Sequence, residues 1–337
     1  MDIHIRGPIE FEKILDYTFQ ETIGLTRQRI TIQQLIDQQD ELSSTEDQKQ
    51  LIRHLNNYSS SYKNMYKKLY NATLQKQPCF SWSVNGELIQ TPCWLFEAIM
   101  PNIVNYELNN RIAFKHLEEQ EYKEANKYMK QSEQICDELV KLTTQWKWKL
   151  PHMNHRIITN KFWSAQKHKS NAYQQLCTIS VGIQQGSSDN ILYHLSQRAL
   201  RASAMSLVHW IQPETDDLLK ISDALRYTYS SNILWKKEKY GQSIFRLEKW
   251  INNQKLPKTS FEIIKEEFDK IPFLLQERKH INDGAYFDTL EAATPLPGIK
   301  EIIHNLNIKH PEVIQQTLDQ HQLDDDLSQV TSLEDNP

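Results

Sequence analysis

Two histidines three positions apart, His152 and His155, come closest in type and spacing to a metal site. A zinc ion needs three or four ligands, and neither a cysteine nor an acidic residue stands at ligand spacing from this pair. We therefore interpret the pair as structural or as part of the surface. The sequence predicts no metal site and no bound cofactor.

A pair of aspartates on a predicted helix, Asp216 and Asp217, would suit a helical enzyme of the terpenoid synthase kind, which holds magnesium against a diphosphate. Such a site needs a further acid, and Lys220 stands at that position. The sequence also lacks the phosphate-binding GxxxxGK loop, GxSxG and GxGxxG. We predict that the protein is not an enzyme, and we keep a helical enzyme with an unrecognised site as the most distant alternative.

A mixture of basic and aromatic residues lies between Trp146 and Lys169, and proteins use such mixtures to stack on single-stranded nucleic acid and contact its phosphates. The chain carries a formal net charge of −4, so its overall charge does not attract it to nucleic acid. We interpret the segment as two amphipathic helices with tryptophans in the core and lysines in solvent. We predict no nucleic-acid partner, and contact with anionic lipid or an acidic protein stays open. The residues concerned are Trp146, Lys147, Trp148, Lys149, Arg156, Lys161, Trp163, Lys167, His168 and Lys169.

The composition favours helices, because the 337 residues include only eight glycines while leucine, isoleucine, glutamine, lysine and glutamate are abundant. This predicts an all-α protein that is long enough for two domains or one elongated stack. The four cysteines show no CxxC spacing and are expected to be reduced. The first residues do not resemble a signal peptide and no apolar run approaches about 18 residues, which predicts a cytoplasmic address.

Two stretches are predicted as strands, residues 3–5 and a hairpin at about 79–90. In the hairpin, apolar and polar residues alternate up to Asn85 and Gly86. That pair suits the two-residue type I′ turn, so the sequence predicts a small antiparallel β-hairpin.

Two helical hairpins form the predicted core, at about 94–145 and 190–253. In the second, apolar residues recur every three or four positions on both arms, and Gly241 in the turn can take the positive φ that ends a helix. The arms are expected to pack antiparallel, as in tetratricopeptide-like solenoids. Residues 177–189, which include Gly182 and Gly186, are predicted to form a long loop.

Two motifs occur in a characteristic order. Residues 233–247 combine a basic turn, an aromatic residue, a glycine and an Ile-x-Arg-Leu ending; residues 282–286 are Asn-Asp-Gly-Ala-Tyr, followed by Leu-Pro-Gly-Ile at 296–299. Together they resemble the BRO1 domain family of the Alix, PalA and PalC type. Weaker agreement extends over 80–82 and 122–139, so the resemblance covers most of residues 5–305.

The resemblance implies one elongated, banana-shaped helical domain over about 1–310, with a tetratricopeptide-like core and a C-terminal strap at about 281–305. Its layout is most similar to PalC-like or stand-alone members of the family. The acidic residues 320–337 are expected to form a disordered tail.

The resemblance also implies a non-enzymatic adaptor that is recruited from the cytoplasm to endosomal membranes as a peripheral protein. Its partner would be the C-terminal helix of an ESCRT-III filament subunit. The setting would be either alkaline-pH-response signalling, with other components of that pathway, or multivesicular-body sorting.

Carried over residue by residue, the family's apolar docking patch falls on Ile191 and Leu195, with Lys169 where the family often has an aromatic residue. The family's tyrosine near the end of the domain falls on Tyr286. Core positions in their own helix are the alternative for Ile191 and Leu195. A helical-repeat scaffold unrelated to endosomes is the alternative function.

Overall fold

The computed structural model describes residues 3–6, 9–11, 20–37, 44–70, 79–145, 156–210, 212–253, 259–286 and 288–290. Within these ranges the chain forms nine α-helices and one three-stranded antiparallel sheet, which confirms the predicted all-α class with a small β-element. The strands are β1 (Ile3–Ile5), β2 (Phe80–Val84) and β3 (Glu87–Thr91). The helices are α1 (Gln20–Asp37), α2 (Thr45–Tyr70), α3 (Trp94–Glu118), α4 (Tyr122–Gln145), α5 (Asn160–Gln184), α6 (Asp189–His209), α7 (Pro213–Lys236), α8 (Tyr240–Asn253) and α9 (Glu262–Ile281).

Several sequence predictions lie outside the described ranges: the strap beyond residue 290, the acidic residues 320–337, the segment 146–149 and the pair His152 and His155. The described residues fall into two compact units. The first comprises those within Met1–Ile112 and Gln134–Lys149, and the second those within Ala113–Glu133 and Leu150–Pro337. None of the described helices is apolar over a length that could cross a bilayer.

The sheet of the first unit has the strand order β1-β2-β3. Ile3 pairs with Val84 and Phe80 pairs with Thr91. At the hairpin turn Asn85 and Gly86 have φ values of 50° and 80°, the left-handed conformation that a type I′ turn requires. Both strand predictions are confirmed.

A buried carboxylate on α3, Glu97, joins α1, α2 and β2 to α3 within the first unit. It is fully buried and accepts hydrogen bonds from Arg29 Nε at 2.8 Å, Tyr58 OH at 2.7 Å and Trp82 Nε1 at 2.7 Å. A buried charge is tolerated only when it is paired and hydrogen-bonded, and Glu97 meets both conditions. Burial acts to lower the pKa of Arg29, but the charge of Glu97, together with Tyr58 and the hydrogen bond to Glu97, outweighs this and leaves the pKa raised.

Short linkers connect α5 to α6 and α7 to α8 in the second unit. Residues 185–188 alone separate α5 from α6, so the predicted long loop at 177–189 is wrong. The glycine that suggested a loop, Gly182, lies inside α5, where a Cβ would stand 2.9 Å from Leu192 Cδ2. Small size at this position therefore permits the close approach of α6.

Helices α7 and α8 form the predicted helical hairpin. The residue with positive φ in its turn is Glu238, at 60°, and not Gly241. The glycine serves the segment 288–290 instead. Its N–H donates to Asp288 Oδ2 at 2.9 Å, and a Cβ there would collide with the carbonyl oxygen of Thr289.

Candidate docking face on helix α6

Helix α6 packs against α5 on one side and α7 on the other, and small residues on its buried face allow both neighbours to approach closely. Ser206 Oγ donates to the carbonyl oxygen of Ala165 at 2.9 Å, which fixes α5 and α6 as antiparallel neighbours. Asp189 in the first turn interacts favourably with the helix dipole. The remaining surface of α6 is an exposed stripe with the residues Asn190, Ile191, His194, Arg198 and Arg201.

Ile191 and Leu195 lie one turn apart at the start of this helix. Ile191 leaves 53% of its surface exposed and therefore lies outside the core, whereas Leu195 is half-buried. The structure brings these two predicted residues together as an apolar patch. Of the two, only Ile191 offers a largely exposed side chain to a partner, because part of Leu195 already packs within the protein.

Lys169 lies in the third turn of α5. Its Nζ contacts Glu214 Oε2 at 2.5 Å and Gln212 Oε1 at 3.4 Å, and both partners follow the last residue of α6. Ala165 lies beside Ser206 and Gly182 beside Leu192, so Lys169 lies beside the C-terminal half of α6. With a rise of about 1.5 Å per residue, it is roughly 10–20 Å along the helix axis from Leu195 and Ile191. The structure therefore does not bring Lys169 to Ile191 and Leu195.

Tyr286 closes a π-helical turn, Asn282–Tyr286, that follows α9. Its ring stacks on Tyr240 with a centroid distance of 3.9 Å, and the side chain remains 50% exposed. A hydrogen bond to Tyr286 is the main cause of the raised pKa of Tyr240. Asn282 holds the next segment by donating to the carbonyl oxygen of Asp288 and accepting from its N–H.

A buried cation connects these elements to the start of α6. Arg278, on α9, is 6% exposed and donates to Ser231 Oγ at 2.7 Å, Ser243 Oγ at 3.0 Å and Asn232 Oδ1 at 2.7 Å. Asn232 in turn donates to Asp189 Oδ1 at 3.0 Å. The same arginine lies over the ring of Trp235, which packs edge-on against Tyr240.

This network was missed from the sequence because its members come from four helices. Burial lowers the pKa of Arg278 to about 10, and the charge of Asp189 acts in the opposite direction. The signal available in the sequence was an arginine that falls on the apolar face of α9.

Tyr286 lies at the same end of these helices as Ile191. It stacks on Tyr240 at the start of α8, and the end of α7 is held beside Asp189, the first residue of α6, by the Lys236 ion pair.

One cluster among the described residues has the donor set of a metal site: His116, Glu119 and Glu121. His116 Nδ1 is 2.7 Å from Glu121 and 3.7 Å from Glu119, and its ring stacks on Tyr128. Both carboxylates are exposed, so these contacts describe a solvated hydrogen-bonded cluster at the end of α3.

No family model and no curated protein matches the sequence. A solved structure of the ALIX BRO1 domain in complex with CHMP4C does match, with a TM-score of 0.68 and 14% identity. The alignment covers 89% of this chain and 91% of that one. The fold is that of a BRO1 domain. The predicted resemblance is thus confirmed at the level of the fold.

Two further structures share the BRO1 fold. ALIX in complex with the SIVmac239 PYKEVTEDL late domain matches with a TM-score of 0.67 and 14% identity, over 88% of this chain but 46% of that chain. This chain therefore spans about half of that molecule. A Bro1 domain described in connection with endosomal targeting matches with a TM-score of 0.60 and 11% identity, over 97% and 96% of the two chains.

Proposed function

We propose that this protein is a non-catalytic adaptor that docks the C-terminal helix of an ESCRT-III filament subunit on the α6 patch of Ile191 and Leu195. The observation that carries the proposal is the 53% exposure of Ile191 in a chain with the fold of a BRO1 domain that was solved with CHMP4C. An exposed aliphatic anchor beside a half-buried one suits an amphipathic helix, which inserts apolar residues at intervals of three and four.

Endosomal membranes are the proposed place of action, with the protein recruited from the cytoplasm as a peripheral component. The Bro1 domain described for endosomal targeting has the same fold, which supports this location. Two settings follow from the proposal, alkaline-pH-response signalling and multivesicular-body sorting. A deletion strain separates them: failure to grow at alkaline pH with intact cargo sorting supports signalling, and the converse supports sorting.

The docking surface is tested by binding of labelled peptides that span the C-terminal helices of all ESCRT-III subunits of the same organism. Ile191→Asp places a charge in the contact without disturbing the core, and we expect a loss of about 30-fold to 1,000-fold in affinity for the peptide that binds. Leu195→Asp is the poorer variant, because Leu195 is half-buried and its loss also lowers stability.

The matched control is Leu88→Asp, which makes the same kind of change at a residue that is 55% exposed in the first unit. This variant should bind as the wild type does. Equal affinity of Ile191→Asp and wild type would overturn the docking site. If no peptide of the set binds the wild-type protein, the helical scaffold unrelated to ESCRT-III becomes the better description.

A further inference from the structure

Helices α5 and α6 carry an unusual balance of charge. Residues 160–209 contain five lysines and arginines and a single acidic residue, Asp189, although the whole chain has a net charge of −4. Asp189 is already engaged by Lys236 Nζ at 2.5 Å and by Asn232. Its negative charge is therefore compensated by Lys236 and does not neutralise the basic residues of α6.

Two of these basic residues, Arg198 and Arg201, are exposed on α6. Within the described ranges neither has a carboxylate within ion-pair distance, in contrast to Lys169, which is paired with Glu214. They belong to the stripe that begins with Asn190 and Ile191, at helical spacings of three and four. The face is thus apolar at its start and cationic further along.

The spacing along α6 sets what this face can bind. With a rise of about 1.5 Å per residue, Arg198 lies roughly 10 Å beyond Ile191 and Arg201 roughly 15 Å beyond it. A helix lying along α6 and anchored at Ile191 would bring side chains about seven and ten positions from its anchor beside the two guanidinium groups. Guanidinium groups bind carboxylates in a planar, two-point arrangement.

We propose that Arg198 and Arg201 select the docked helix by its charge, taking carboxylates that stand two to three turns from the apolar anchor. This inference rests on the proposed function, because it uses Ile191 as the anchor. Both guanidinium groups are exposed to solvent, so they act mainly through steering and through exclusion of basic helices. A membrane surface is a weaker fit, since the cationic residues form one narrow row and Lys169 is neutralised.

The test uses three synthetic helical peptides with one apolar face in common. They carry glutamate, glutamine or lysine at the seventh and tenth positions from the anchor. Binding is measured at two salt concentrations for the wild type and for the double variant R198E/R201E. We expect the wild type to bind the glutamate peptide about 10-fold more tightly than the glutamine peptide at low salt, and the difference to shrink at high salt.

The double variant should reverse this order and prefer the lysine peptide. The control K123E/K130E makes the same change of charge at two exposed lysines of α4, and it should leave the order unchanged. Ile191→Asp with the uncharged glutamine peptide tests the anchor alone. If this variant binds normally, the proposed function fails; if it loses binding while R198E/R201E shows no altered preference, only the charge selection is wrong.

Two other outcomes also overturn the inference. Tighter peptide binding by R198E/R201E, whatever the peptide, would mean that acidic residues of this chain itself occupy the face. Unchanged peptide binding together with lost binding to phosphatidylserine vesicles would assign the two arginines to a membrane contact.

Discussion

Replacing Arg278 tests whether its hydrogen bonds outweigh the cost of burying its charge. The lowered pKa of about 10 corresponds to roughly 3 kcal/mol against the charged form in the folded state. Against this stand the hydrogen bonds to Ser231, Ser243 and Asn232, each worth about 1.5–3 kcal/mol when the donor is charged. The bonds outweigh the burial cost, so Arg278→Met should lower the free energy of unfolding by about 1.5–6 kcal/mol.

Arg278→Lys provides a sharper test, because lysine keeps the charge but loses the fork that reaches three acceptors at once. The cost of burying the cation then remains while its compensation falls. We expect this variant to be at least as unstable as Arg278→Met, although it is the more conservative change.

The assay is equilibrium urea unfolding followed by far-ultraviolet circular dichroism. The control is Lys279→Met on the same helix, which removes only a half-exposed ion pair with Glu248 and should change stability by less than about 1 kcal/mol. The reasoning is refuted if Arg278→Met is as stable as the wild type, or if Arg278→Lys is clearly more stable than Arg278→Met.

Two further predictions concern buried ionisable groups. Glu97→Gln should cost about 2–4 kcal/mol in urea unfolding because Arg29 loses its charged partner, whereas Glu118→Gln on the exposed end of α3 should be neutral; equal stability of the two would refute the network. Burial raises the pKa of the Cys177 thiol to about 12. The unfolded thiol ionises first, so stability should fall between about pH 9 and 12 by up to roughly 1.4 kcal/mol per pH unit. Cys177→Ala should show a shallower decline, and an identical pH profile would contradict the assignment.

Local features were predictable from the sequence. The turn at Asn85 and Gly86 and the hairpin of α7 and α8 depend on residues within a few positions of one another, so turn chemistry and helical periodicity were sufficient. The BRO1 fold was also predictable, because two short motifs carry the resemblance. Those motifs contact each other in the structure, because Tyr240 of the first stacks on Tyr286 of the second and Gly241 donates to Asp288 just after it.

Features that depend on distant residues were not predictable. Gly182 was interpreted as a loop residue because the helix that packs against it was not visible in the sequence. The role of Lys169 beside Glu214 depends on where α6 ends, and residue spacing did not give that position. Arg278 finds acceptors 35 to 47 positions away on two other helices, so periodicity within α9 gave no sign of them.

The pairing of β1 with β2 has a consequence for the order of folding. Ile3 meets Val84, so a loop of about 80 residues must close before the first rung of this ladder forms. Such closure costs about 4 kcal/mol of chain entropy. Only a few residues separate successive helices from α5 to α8, so these helices can associate at little such cost. We therefore expect folding to nucleate in the helical hairpins and the sheet to be completed late, because its strands are far apart in sequence.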